Sequence, residues 1–303
     1  MREDLARLET EQQNKNTVDI DLKSTEEILK IINDEDKTVA YKIAEQLEPI
    51  TKLTDAYIET IENGGRVFYI GAGTSGRLGF IDAAELVPTY NIPDGLVEGI
   101  MAGGLPAMRR AKEFAEDHAE QGTLDLKERN FCNKDMLIGV AASGRTPYVI
   151  NGLEYAKSLG AKTGSISCAS NTEMSKIVDY PVEVVTGQEV VLGSTRMKAG
   201  TAEKLVLNMI STTVFIRTGC TYKNYLINGK ETTEKGHYRL IRLIANETNV
   251  PEEDVQKVFE ECDKEPKLTM CIIKSGLSKQ DCIKLLDKYN GKLRLALASI
   301  GKE

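Results

Sequence analysis

The sequence has no tryptophan, only two histidines, and six cysteines among which no C-x-x-C pair occurs. A zinc site needs several thiolate or imidazole ligands at suitable spacing, and no such set can be read from this chain. We therefore expect the protein to use neither a metal nor another cofactor.

A surplus of positive charge and long apolar runs are also missing. The chain carries 46 acidic against 39 basic residues, a formal charge of -7, without a dense Lys/Arg run. This balance argues against general nucleic-acid binding. No apolar run approaches membrane-spanning length, and residues 1–16 are charged and polar, unlike a signal peptide. We expect a cytoplasmic protein with reduced thiols and no membrane partner.

A glycine-rich loop follows a run of β-prone residues near position 70. Val67–Ile70 reads as a buried strand, and Gly71–Arg77 continues it as Gly-Ala-Gly-Thr-Ser-Gly-Arg. Glycines permit a tight turn, and the first amide groups of a following helix suit an anion. The hydroxyls of Thr74 and Ser75, with Arg77 nearby, favour a phosphorylated polyol, and no Walker lysine follows.

A second loop of the same kind lies downstream. Asp135–Ala142 predicts another strand, and Ser143-Gly144-Arg145-Thr146-Pro147 turns away from it. Pro147 stands near the first helical position, where its missing N–H costs little. In open parallel sheets ligands bind beyond the carboxyl ends of the strands, so the two loops together predict a sugar-phosphate site.

Strands and helices alternate from residue 66 onward, which predicts an α/β fold with a doubly wound parallel sheet. The predicted strands are 66–70, 95–100, 136–141, 163–167 and 180–185. The predicted helices are one that begins after an N-cap at Ser24, then 39–61, 105–121, 149–158 and 201–218, and in the tail 238–248, 252–261, 264–275, 278–289 and 292–299. The predicted regions are an N-terminal arm and helices in 1–65, a ligand-binding domain in 66–223 and a helical domain in 224–303.

Four motifs carry a resemblance to a known family. They are the two loops GAGTSGR and AASGRTP, Asp82-Ala83-Ala84-Glu85, and the stretch from Ser194 to Ala202, STRMKAGTA. The chain resembles the sugar isomerase (SIS) domain and, closely, the N-acetylmuramic acid 6-phosphate etherase family. The resemblance implies an SIS-type sheet with N-terminal helices, a small C-terminal bundle of the ubiquitin-associated type, and cleavage of a D-lactyl ether.

The resemblance also implies two catalytic glutamates. Glu85 corresponds to the acid that protonates the departing lactate, and Glu116 to the base that removes the hydrogen from C2 of the sugar. The residues alone leave a solvated helix face open for either glutamate. Glu85 is expected near the end of the helix after the first loop, where the helix dipole disfavours a carboxylate.

The remaining candidates are groups that could hold the substrate's two anions. Hydroxyls that could donate to phosphate are those of Thr74, Ser75, Ser143 and Thr146. Cations that could hold phosphate or carboxylate are Arg77, Arg145, Arg196 and Lys198. Ser194 is expected to cap the helix 201–218 and turn its N-terminus toward the site. Helix capping by the serines and structural ion pairs for the arginines stay open as alternatives.

Two other functions share this pattern. An aldose–ketose isomerase on the same fold would need a base but no acid directed at the ether. A non-enzymatic sugar-phosphate sensor resembling the glucokinase regulatory protein would bind the ligand and a partner protein. The apolar helix 201–218 and the two N-terminal helices further predict a homodimer.

Overall fold

The computed structural model describes residues 9–229 and 234–302. The chain divides into two compact units, one within Met1–Ala84 and Asp94–Ser211, the other within Glu85–Pro93 and Thr212–Glu303. The predicted division into 1–65, 66–223 and 224–303 is drawn at other positions and stays a prediction. Part of the predicted arm, residues 1–8, and part of the polar segment 228–236, residues 230–233, lie outside the described residues.

A parallel sheet of five strands forms the centre of the first unit, in the order β2-β1-β3-β4-β5. The strands are β1 Val67–Gly71, β2 Val97–Met101, β3 Met136–Val140, β4 Lys162–Ser167 and β5 Tyr180–Glu183. The α-helices up to the end of the sheet region are α1 Thr25–Ala44, α2 Leu47–Glu62, α3 Gly73–Tyr90, α4 Leu105–Arg109, α5 Ala119–Glu128, α6 Pro147–Ser158, α7 Glu173–Ile177 and α8 Lys198–Arg217. The 3-10 helices are Glu9–Glu11, Lys15–Thr17, Ile20–Leu22 and Ala115–Asp117. The predicted α/β class is confirmed.

The strand order places a switch point between β1 and β3. The chain leaves β1 for β2 on one side and returns to β3 on the other, so the connections diverge above these two strands. Gly71 at the end of β1 is in register with Val140 at the end of β3. Both glycine loops therefore begin at the same edge of the sheet, at the crevice where such folds bind ligands.

Helices cover both faces of the sheet. Phe68 and Ile70 of β1 pack in one buried cluster with Leu126 of α5 and residues of α6. On the opposite face Tyr69 meets the ring of Tyr57 from α2 edge-on, with centroids 6.4 Å apart. Successive β1 side chains point to opposite faces and all are buried, which explains why the strand reads as a continuous apolar run.

The second unit is a small helical bundle preceded by a hairpin. Its hairpin strands are β6 Thr221–Tyr222 and β7 Tyr225–Leu226, and its helices are α9 Glu234–Thr248, α10 Glu252–Glu261, α11 Pro266–Ser275, α12 Lys279–Lys288 and α13 Leu293–Ala298. Val255, Phe259, Met270, Leu286 and Leu297 share one buried cluster. The predicted tail helices are confirmed to within a few residues, whereas the hairpin was not predicted.

Two predicted helices differ in the structure. The capping box at Ser24 is present, but α1 continues through Val39 to Ala44, so a new helix does not begin there. The predicted helix 105–121 is wrong. It is broken into α4, an irregular stretch, a 3-10 turn and the start of α5. Arg110 has an extended backbone that ends α4, and Phe114 has a left-handed backbone, φ 60°, so the segment cannot form one continuous helix.

Candidate active site

The first glycine loop is packed tightly between β1 and α3. An ideal Cβ on Gly71 would lie 2.7 Å from the backbone nitrogen of Gly76, so a side chain at position 71 would collide with the first turn of the helix. Gly76 N–H donates to the carbonyl of Ala72 at 3.1 Å, which closes the turn. The loop backbone therefore runs directly into the N-terminus of α3, as an anion site of this kind requires.

The two hydroxyl residues of this loop lie against the first turns of α8. Ser75 is buried, and its Oγ donates to Oε1 of Glu203 at 2.8 Å. An ideal Cβ on Gly200 would lie 3.3 Å from Cγ2 of Thr74, so the small residue at the start of α8 allows close approach. Burial raises the pKa of Glu203 to about 8, and the nearby Glu189 carboxylate adds to the effect.

The start of α8 is fixed by a second buried glutamate and an ion pair. Glu189 accepts from the backbone N–H groups of Lys198 and Ala199, each at 2.9 Å. Lys198 Nζ pairs with Oε2 of Glu35 on α1 at 2.7 Å and is almost fully buried. The cap of α8 is thus Glu189, and the predicted cap, Ser194, is wrong. Lys198 supports the helix start, and its predicted contact with substrate stays a prediction.

Arg77 is engaged by the segment after β2. Its guanidinium donates to the carbonyls of Ala107 at 2.7 Å and Met108 at 3.2 Å. The same side chain lines a cavity of about 190 Å³ together with Gly73 and Glu116. Arg77 therefore holds α4 in place at the wall of this cavity, and its predicted contact with an anion stays a prediction.

The second loop surrounds a separate cavity of about 620 Å³ lined by Ser143, Arg145 and Thr146. Thr146 precedes α6 and makes no capping hydrogen bond, while Pro147 occupies the first turn as predicted. Nε of Arg145 is buried without a hydrogen-bond partner among the described residues. Gly144 has φ 63°, a conformation that glycine adopts without strain. Two hydroxyl residues, the arginine and the N-terminus of α6 thus line the same cavity.

Glu116 lies beside both glycine loops. It lies in the 3-10 turn Ala115–Asp117, which Ala115 anchors by its burial. Glu116 lines the cavity next to the first loop and also the cavity next to the second. The broken helix therefore places this carboxylate at the crevice, where the sequence alone indicated a charged helix face.

Three further predicted site residues, Glu85, Ser194 and Arg196, lie outside the two loop cavities. Glu85 lies on α3 with its side chain open to solvent. Ser194 is half-buried and Arg196 is exposed in the loop before α8. Among residues 9–229 and 234–302, none forms an ion pair with these three side chains. Their predicted roles stay predictions.

Comparison with known proteins identifies the family. A family model for the glucokinase regulatory protein N-terminal SIS domain matches residues 49–157. The chain is 47% identical over 298 residues to the N-acetylmuramic acid 6-phosphate etherase of Clostridioides difficile, covering 98% of both chains. It is 46% identical over 294 residues to that of Actinobacillus succinogenes, covering 97% of both. The chain belongs to the N-acetylmuramic acid 6-phosphate etherase family.

A solved structure with similarity to this member of the etherase family is the phosphoheptose isomerase of Neisseria gonorrhoeae. It is 15% identical, with a TM-score of 0.48, and the match covers 63% of this chain and 98% of that chain.

Sequence reasoning missed the two buried glutamates of this etherase-family chain, Glu189 and Glu203. Burial also raises the pKa of Glu189, although the amide groups of Ala199 and Lys198 oppose the shift. A signal was available for Glu203, because it stands among Ala202, Val206 and Leu207 on a helix that reads as apolar.

Within the described part of the chain, no group of three His, Cys, Asp or Glu side chains could hold a metal ion. None of the described helices is long and apolar enough to cross a membrane.

Proposed function

We propose that this protein cleaves the D-lactyl ether of N-acetylmuramic acid 6-phosphate, giving N-acetylglucosamine 6-phosphate and D-lactate, in the recycling of cell-wall amino sugar. Near-full-length similarity to proteins named for this etherase activity carries the proposal. The position of Glu116 between the two glycine loops supports it, because the reaction needs a base beside a phosphate site.

The proposed chemistry depends on the acidity of the C2 hydrogen in the ring-opened sugar. That hydrogen is α to the aldehyde, so a base can remove it. The C3–O bond then breaks as C2=C3 forms, and an acid gives its proton to the lactate oxygen. Water adds a hydroxyl to C3 and a proton returns to C2, which restores a saturated sugar. Two carboxyl groups in separate roles suffice for this reaction sequence.

Glu116 is the proposed base and Glu85 the proposed acid. Glu116 lies on a short turn at the crevice, with access to both cavities, so its carboxylate can reach a sugar whose phosphate occupies a loop. Glu85 follows the first loop on α3, is exposed, and lines neither of the two loop cavities, so its acid role is proposed from the family alone. The assignment of the two roles rests on the family.

Phosphate and lactyl carboxylate are assigned to the loops. Thr74, Ser75, Ser143 and Thr146 are the proposed hydroxyl donors. Arg77, Arg145, Arg196 and Lys198 are the proposed cations, with Ser194 in the adjoining loop. Arg145 has the best geometric support, because its buried Nε lacks a partner among the described residues at the edge of the second cavity.

Mixing the purified protein with N-acetylmuramic acid 6-phosphate tests this function. We expect D-lactate and N-acetylglucosamine 6-phosphate in equal amounts. Interconversion of aldose and ketose phosphates without lactate would instead identify an isomerase. Tight binding of the sugar phosphate without turnover would favour the sensor, a function supported by the match to the glucokinase regulatory protein domain.

Ser143→Ala should weaken binding of N-acetylglucosamine 6-phosphate by about tenfold, because a hydrogen bond to a charged group is worth about 1.5 kcal/mol. Ser143 is half-buried at the cavity wall, so its loss should leave the fold intact. Titration calorimetry measures the affinity. Ser158→Ala is the matched control, because Ser158 lies at the other end of α6, where its hydroxyl donates to the carbonyl of Tyr155 in the same helix. Equal affinities for the two variants would exclude Ser143 from the phosphate site.

A cytoplasmic homodimer is the proposed state of the protein. Leu29 and Tyr41 on α1 are 62% and 76% exposed, and Met209 on α8 is 37% exposed, so these helices carry apolar side chains that a second subunit could cover. We expect light scattering to give twice the 33.4 kDa mass of one chain. Tyr41→Glu should lower that mass, whereas the exposed, matched Tyr238→Glu should not. A monodisperse monomer at assay concentration would refute the dimer.

A further inference from the structure

Glu203 lies beneath the first glycine loop with one carboxyl oxygen unused. Its side chain is fully buried in the first turns of α8, and Oε1 accepts from Ser75 Oγ at 2.8 Å. Oε2 has no hydrogen-bond partner among the described residues. A buried carboxylate in this position would carry an unpaired charge, which is costly, so the neutral acid is the form that the surroundings favour.

A serine hydroxyl has a single proton, and the protonation state of a neighbouring carboxyl group decides which acceptor receives that proton. A charged carboxylate can only accept, so it holds the Ser75 proton away from the loop. A neutral carboxyl group can donate its own O–H to Ser75 Oγ, and the Ser75 proton is then free for another acceptor. We infer that Glu203 is a positioning residue that sets the donor direction of Ser75, so that sugar-phosphate binding requires the neutral carboxyl and takes up a proton. This inference rests on the proposed function.

The charges around Glu203 support the same direction. Glu189, in the loop before α8, is buried and repels a second negative charge at position 203. Cys168, after β4, is a buried thiol whose pKa is raised by burial and then by these two glutamates. Lys198 pairs with Glu35 at 2.7 Å, which offsets part of its positive charge. An ionised Glu203 would therefore place a negative charge next to a phosphate dianion bound in the loop, and protonation of Glu203 removes that charge.

The pH dependence of binding tests the inference. Glu203 in the unbound chain titrates with a pKa of about 8. If only the neutral form binds, the affinity for N-acetylglucosamine 6-phosphate should fall about tenfold between pH 7 and pH 9. Glu203→Gln keeps a permanent N–H donor to Ser75, so it should bind as the wild type does at pH 7 and lose little affinity by pH 9. The ratio of the two proteins cancels the ionisation of the phosphate itself.

Proton uptake gives a second readout that needs no variant. Calorimetry of the wild type at pH 9, in two buffers of different ionisation enthalpy, should show about one proton taken up per sugar phosphate bound. Uptake near zero would overturn the inference, as would an equal decline of affinity in Glu203→Gln. A wild-type chain that binds no sugar phosphate at pH 7 would overturn the proposed function and this inference together, whereas either of the first two results leaves the function standing.

Discussion

Glu116→Gln should lose lactate release and exchange of the C2 hydrogen together, each by about a thousandfold. A base that removes the C2 proton acts before any bond to lactate breaks, so its absence stops both observable events. The 3-10 turn at Ala115–Asp117 holds the carboxylate at the edge of both loop cavities, and the exposed side chain should accept an amide without unfolding. Proton NMR in deuterated water follows the C2 position, and an enzymatic assay follows D-lactate.

The matched control for this variant is Glu128→Gln. Glu128 is exposed at the end of α5 and lines neither cavity beside the loops. It should retain wild-type rates of both events. Full C2 exchange in Glu116→Gln would show that another group is the base. The etherase function of the wild-type protein would be unaffected by that result.

Glu85→Gln should separate the two events that Glu116→Gln removes together. The proposed base, Glu116, remains, so deuterium should still enter C2 at a rate within about tenfold of the wild type, while lactate release falls by at least about a hundredfold because the proposed proton donor is lost. The C2 anion must survive long enough to be reprotonated, and delocalisation into the carbonyl provides that lifetime.

Lactate analogues sharpen this test. A substrate whose ether carries a better leaving group, such as a phenol of low pKa, needs less protonation, so it should recover much of its rate in Glu85→Gln and none in Glu116→Gln. Lactate release at the wild-type rate in Glu85→Gln would remove the acid role from this residue.

The sheet could be predicted because its signals are local. Val67–Gly71 and Met136–Val140 are short apolar runs followed by small residues, and each is a buried parallel strand. The segment 105–121 could not be predicted, because helical spacing says nothing about the left-handed backbone at Phe114. That break changes the setting of Glu116 from a helix face to a turn beside two cavities.

Residues that belong to the glycine loops can be predicted from the sequence. Residues that contact the loops from distant positions in the chain cannot. Thr74, Ser143 and Thr146 come shortly after their strands, so the glycine motifs alone predict that they lie in the loops. Glu203 and Glu189 act through tertiary contacts, since the Ser75 to Glu203 bond spans 128 residues. No local pattern encodes such a contact. A charged residue on an apolar helix is the nearest sequence signal.

The long separations around α8 also bear on how the chain matures during synthesis. The five sheet strands are all encoded before residue 184, whereas the partner of Ser75 is residue 203 and Glu35 finds Lys198 across 163 residues. A nascent chain can assemble the sheet while the first glycine loop still lacks its supports. The contacts of Ser75 and of Glu35 with α8 therefore form only after α8 has left the ribosome, and a stalled chain that ends before this helix would expose the N-terminus of α3 without the Ser75 geometry of the finished protein.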